Sequence, residues 1–178
     1  MNGNVFIPIE QAIDWYYGDN QTLKDLALEA YTIKELERKT KVANDLKCIL
    51  RTRLSLNKLF KNHVNENDSL DNIIQLIKDN FYIACRDNII TPALMSEYKD
   101  VLATYNIYEN ARSNDRAAFD YVVIYEDDDC IPWFYADGNT TVYCEKEDAK
   151  ILASDQASIY AVDNVEVTLK DCATLERM

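Results

Sequence analysis

The residues best equipped for chemistry in this chain are carboxylates. Glu126-Asp-Asp-Asp129 sets four acids in succession. Oxygen ligands of that kind suit Ca²⁺ or Mg²⁺, so Glu126, Asp127, Asp128 and Asp129 are the candidate metal residues. A cation needs ligands converging from several directions, and a solvated acidic turn is the competing reading. A second set of acids, Asp148, Asp155, Asp163, Asp171 and Glu166, recurs through the last third of the chain and is a candidate interaction surface. The calcium-binding nonapeptide repeat is excluded, because it needs glycines that these segments lack.

Other chemistries are short of parts. His63 is the single histidine, which rules out a two-histidine metal site or a histidine dyad within one chain. The cysteines are Cys48, Cys85, Cys130, Cys144 and Cys172, an odd number without a C-x-x-C spacing, and they read as packing thiols of a reducing compartment. No G-x-S-x-G, P-loop or dinucleotide-binding fingerprint occurs. The expectation is therefore a non-enzymatic protein with no catalytic residues and no cofactor. Lys47, Arg51, Arg53, Lys58 and Lys61 make one basic stretch with Leu and Phe between them, which reads as a solvated helix face. The whole chain carries 31 acids against 19 lysines and arginines, a net charge of −12, so direct nucleic-acid binding is not expected.

The elements that must position these residues fall into two parts. Residues 1–113 hold 14 basic and 16 acidic side chains; residues 114–178 hold 5 and 15. The first part reads as an all-helical module of five or six helices. Pro8, Ile9, Ala12, Ile13 and Tyr16 suit a first helix ending near Gly18. Thr22-Leu-Lys-Asp25 and Thr32-Ile-Lys-Glu35 have capping-box spacing and predict two further starts. Val42, Leu46, Ile49, Leu50, Arg53, Leu56 and Phe60 keep helical period, Asp68 predicts a cap, and Thr91-Pro92 predicts another start.

The second part repeats with period eight. Gly138–Glu145, Glu147–Ser154, Asp155–Val162, Asp163–Lys170 and Asp171–Leu175 align, with Lys146 as one inserted residue. Each octad opens on a turn pair, since Asp, Asn and Gly tolerate left-handed backbone and bond their own main chain. Three alternate positions then follow, small or apolar: Thr140/Val142/Cys144, Ala149/Ile151/Ala153, Ala157/Ile159/Ala161, Val165/Val167/Leu169 and Ala173/Leu175. Strand side chains alternate faces, so each triplet points one way. The prediction is an α+β chain, an N-terminal helical module followed by a short C-terminal β-solenoid of octapeptide repeats with two octads per coil. A β-meander is the alternative. Two strands apolar on both faces, Tyr121–Tyr125 and Ile131–Tyr135, precede the octads and read as a strand cap over 120–136.

Asp155-Gln-Ala-Ser-Ile-Tyr-Ala-Val-Asp-Asn-Val-Glu-Val167 resembles the tandem A-x-D-N-A-T-V-x repeats of phage, prophage and other mobile-element proteins. Ile7–Tyr31 resembles a short two-helix module of phage and gut-bacterial mobile-element proteins. The resemblance implies solenoid architecture and that origin, and it implies no activity. The functional expectation is a protein-interaction or assembly protein, with a protein partner, including one from a host, or homo-oligomerisation through the solenoid's C-terminal edge. Glu176 and Arg177 are the residues placed to blunt that edge. The alternative is an acidic mimic of a nucleic-acid backbone that inhibits a host defence enzyme, and a metal-dependent enzyme using the 126–129 run is a distant third. The opening Asn2-Gly-Asn-Val-Phe6 lacks a signal-peptide start, and no apolar run reaches the ~20 residues of a membrane span, so the expected setting is the host cytoplasm or a virion.

Overall fold

The computed structural model describes residues 7–109, 121–125 and 133–178. Six helices come first: α1 (Ile9–Tyr17), α2 (Gln21–Leu56), α3 (Leu70–Asp79), α4 (Phe81–Arg86), α5 (Pro92–Glu97) and α6 (Lys99–Ala103). Eight strands follow: β1 (Ile107–Glu109), β2 (Tyr121–Ile124), β3 (Phe134–Ala136), β4 (Thr141–Cys144), β5 (Lys150–Ala153), β6 (Ser158–Ala161), β7 (Glu166–Leu169) and β8 (Thr174–Arg177). The chain is α+β. A helical region is followed by a β-solenoid of about three turns.

Every strand pair is parallel, which excludes the meander. One sheet runs β1-β2-β4-β6-β8 and the other β3-β5-β7, so successive strands from β2 onward alternate between the two walls. Each coil therefore takes two octads. Thr141 pairs with Ser158, seventeen residues on, and Ser158 with Thr174, sixteen on. The other wall shows the same step, with Phe134 opposite Ile151 and Ile151 opposite Val167. Lys146 lies inside both longer intervals and is their extra residue.

Between the walls lies a thin core. Val122, Val142, Ile159 and Leu175 form one register row, and Phe134, Ile151 and Val167 face them from the other wall. Small neighbours such as Ala136, Cys144, Ala149, Ala153, Ala157 and Ala161 are buried beside them and let the walls close. The triplets read from the sequence point inward as expected. Val165 is buried, whereas Val167, Ala173 and Leu175 are only partly covered and Leu169 is exposed. The pair of strands read as a cap is in register with the octads: Val122 sits opposite Val142 and Ala136 opposite Ala153. β2 and β3 are coils of the solenoid itself, and β1, within the 1–113 stretch, begins its five-stranded wall.

Two compact units divide at Ala43, inside α2. In the first, Asn20 caps α2 by accepting the Leu23 N–H at 3.1 Å, and Gly18 ends α1 in the left-handed region at φ 54°. Lys24 pairs with Asp14 at 2.6 Å. The Thr32 capping box opens no helix. Thr32 Oγ1 donates to the Leu28 carbonyl one turn back, and Glu35 is drawn to Arg38, so α2 runs on unbroken. In the second unit, Leu46, Leu50 and Leu54 of α2 are fully buried, with Ile73, Ile74 and Ile77 of α3 in the same core class. Ser69, not Asp68, caps α3 by accepting from Asn72 N–H; Asp68 instead accepts from the Asn65 backbone. Thr91 and Pro92 start α5 as the spacing predicts. α5 and α6 pack on β1, and α4 packs on β4. The helices of this unit therefore cover the first edge of the solenoid and part of its outer face.

Candidate functional site

The octad acids all lie on the solenoid surface, at its corners and along one wall. Gly138, Asp155 and Asp171 occupy the same corner of successive coils, and all three have positive φ (59°, 55° and 53°). That conformation suits Gly and is tolerated by Asp. The aspartates also tie the coils together. The Asp155 carboxylate accepts the Gly138 N–H at 3.0 Å, and the Asp171 carboxylate reaches the Asp155 N–H at a longer 3.5 Å. At the opposite corner, Asn164 donates to Glu147 of the coil before it at 3.2 Å.

Two of the remaining acids meet cations. Asp148 pairs with Lys146 at 3.0 Å, and Glu166 on β7 pairs with Lys150 on β5 at 2.7 Å. Lys150 also lies 5.4 Å from the ring centre of Trp133, which is itself 49% exposed beside Tyr135. Asp163 is exposed at its turn. The predicted surface residues are thus brought onto one rod, but Asp155 and Asp171 serve the corners and Asp148 and Glu166 are partly neutralised. The candidate metal residues Glu126, Asp127, Asp128 and Asp129 lie outside the described residues. Among the described residues, no cluster of three or more His, Cys, Asp or Glu is placed to hold a metal ion.

Two residues of the basic stretch are engaged. Arg53 donates to the Ile89 carbonyl at 3.0 Å and to Thr91 Oγ1 at 3.2 Å, and Arg51 to the Glu66 carbonyl at 3.3 Å. These contacts anchor loops instead of presenting charge to a phosphate. A shallow cleft of about 290 Å³ lies between Arg51, Ser55, Leu56, Val64 and Asn65, at the small end of the range for ligand sites. His63 sits exposed in the turn after α2, and its N–H donates to the Phe60 carbonyl.

A cluster that sequence reasoning missed joins helix to rod. Tyr143 and Tyr160 are register partners on the outer face of the five-stranded wall. Tyr82 of α4 stacks on Tyr160, and Arg86 lies over the Tyr82 ring. Tyr143 donates to Glu145 Oε1 at 2.9 Å and is buried. Its phenol is held well above its usual range by burial, reinforced by that bond to Glu145. Burial likewise pushes the Cys85 thiol far up, with Glu145 adding to the effect. Both shifts move Tyr143 and Cys85 away from ionisation near neutral pH, which fits packing. The signal in the sequence was a pair of tyrosines at the same position of two octads, Tyr143 and Tyr160.

The far end of the rod is built differently. β7 and β8 are the edge strands of their walls. Thr174 and Met178 donate their N–H groups back to Ala157 and Ala161. Bonding alternates along a parallel strand, so the N–H and C=O of Leu175 and Arg177 face outward from the edge. The Arg177 guanidinium folds onto the corner, donating to the Val162 carbonyl at 2.7 Å and the Val165 carbonyl at 3.0 Å.

No protein-family model matches this chain, and no curated protein or solved structure does. No described helix is long and apolar enough to cross a membrane.

Proposed function

We propose that this is a non-enzymatic interaction protein, of the phage and mobile-element kind its octads resemble, that captures a protein partner by strand addition at the β7/β8 end of its solenoid. The observation that carries the reading is that β7 and β8 are the edge strands of their walls among the described residues, with Val167, Ala173 and Leu175 of the core only partly covered there. An incoming strand would gain main-chain hydrogen bonds from Leu175 and Arg177 and cover that apolar end together. The host cytoplasm or a virion is the setting in which such a partner would be met. A second copy of the chain is the other occupant the same edge would accept.

The nucleic-acid mimic reading ranks behind it. Asp148 and Glu166 face lysines, and Asp155 and Asp171 bond to backbone, so the even row of unpaired charge that mimicry requires is broken.

The test compares the full chain with Leu175→Pro. Proline removes an outward N–H and leaves the inward bonds of Thr174 and Met178 in place. The expected result is a host protein retained by the wild type and lost by the variant, with slowed amide exchange at Leu175 and Arg177 in the complex. Identical capture by both proteins, or unchanged exchange at the edge, would reject strand addition.

A further inference from the structure

The first compact unit buries little of its own apolar surface. Among its described residues, Ile13 is the one large apolar side chain that is buried. Trp15, Tyr16, Leu23, Leu26, Ile33 and Leu36 are between 43% and 84% exposed. Exposed apolar surface on this scale, rimmed by polar residues, marks an interaction site.

Four exposed residues of α2 form one row, with Leu28, Tyr31 and Leu36 exposed beside it. Leu23, Leu26, Ala30 and Ile33 are spaced three, four and three residues apart and are all exposed. That is the a/d spacing of a coiled coil, with Leu23 and Ala30 at a, and Leu26 and Ile33 at d. The buried stripe of the same helix, Leu46, Leu50 and Leu54, has a spacing of four and belongs to the second unit.

The charges beside the seam decide the occupant. In this register Glu29 falls at g and Lys34 at e of the next heptad. In a parallel, in-register pair, a g residue meets the e residue five positions later on its partner, so Glu29 of each copy meets Lys34 of the other, twice by symmetry. An antiparallel pair would set like positions together and lose both contacts. The seam is therefore complementary to itself.

We propose that residues 21–36 of α2 pair with the same segment of a second copy as a short parallel coiled coil. Four seam residues per copy make an interface below about 1,200 Å² in total, the size of weak, reversible association. Glu37 and Thr40 at the next a and d positions limit the seam to two heptads. This pairing is independent of the β7/β8 edge.

The test is sedimentation and light scattering of the full chain over a range of concentrations. The expected species is a dimer in exchange with monomer. Leu26→Glu with Ile33→Glu should weaken it at least about tenfold, and since both side chains are exposed the helix content should be unchanged. Glu29→Lys or Lys34→Glu alone should weaken it by about threefold, and the double exchange should restore it. With Cys48, Cys130 and Cys172 changed to serine, Ala30→Cys should cross-link to a covalent dimer under mild oxidation, as the parallel register brings the two positions together. A chain that stays monomeric throughout, a dimer indifferent to Leu26→Glu with Ile33→Glu, or charge exchange without rescue would overturn the proposal. A dimer lost with Leu175→Pro but kept by the seam variants would reject this pairing while leaving the edge reading intact.

Discussion

Tyr82 lies flat against Tyr160, with ring centroids 4.8 Å apart and planes only 16° from parallel. The two residues belong to α4 and β6, so this stack fastens the helical part of the second unit onto the outer wall of the solenoid. Stacked aromatic pairs contribute about 0.5–1.5 kcal/mol beyond area burial. A double-mutant cycle with Tyr82→Ala and Tyr160→Ala, followed by urea denaturation, should return a coupling of about that size. Additive losses would mean that the rings touch without holding the parts together.

The core of the rod is thin, so single truncations should be costly. Ile159 is 1% exposed and lies between Val142 and Leu175 in its row. Ile159→Ala should lower unfolding free energy by about 2–5 kcal/mol. Thr168→Ala, on the exposed face of β7, should change it by less than about 0.5 kcal/mol. Equal effects at the two sites would contradict the inward and outward assignment.

The left-handed corner gives a graded series at Asp155. Asp155→Asn keeps both the tolerance for φ 55° and an acceptor for the Gly138 N–H, and should be close to neutral. Asp155→Gly keeps the backbone and loses the bond. Asp155→Ala loses both and should cost about 1–2 kcal/mol in thermal or chemical unfolding. The order Asn, Gly, Ala in rising cost is the outcome that checks the corner.

Alkaline pH should loosen the rod. Burial pushes the Cys144 thiol up to about 11, against an ordinary value of 9. Above pH 9 the unfolded chain releases a proton that the folded chain keeps, so this contribution is whole below pH 9 and is lost as pH rises through 11. Cys85 and Tyr143 are shifted the same way, by burial first and then by Glu145 or the bond to it. Melting temperature should therefore fall steadily over that window. Cys144→Ala should flatten part of the fall.

The period of eight was legible because two independent constraints coincide in it. A corner every eight residues needs turn formers, and a thin core needs one medium apolar residue flanked by small ones, as in Ala157/Ile159/Ala161. The insertion at Lys146 was legible for the same reason. The helical part was readable where a cap was unambiguous, as at Thr91-Pro92. It misled at Thr32, where the hydroxyl had a nearer acceptor in the Leu28 carbonyl. Contacts that depend on how the coils stack were not legible. Nothing local to Tyr82 announces Tyr160, and nothing local to Asp155 announces that its carboxylate will serve Gly138 in the coil before.

That corner bond has a direction. At each step the later coil supplies the carboxylate and the earlier coil the N–H: Asp155 to Gly138, then Asp171 to Asp155. The rod is therefore vectorial, like a row of plugs and sockets. Two copies meeting end to end by a twofold axis would set socket against socket at this corner. A chain that continues the rod must bring its own acid or amide sixteen residues in phase with Asp171. The edge thus favours a strand that continues the rod in the same direction over a symmetric pairing of two equal ends.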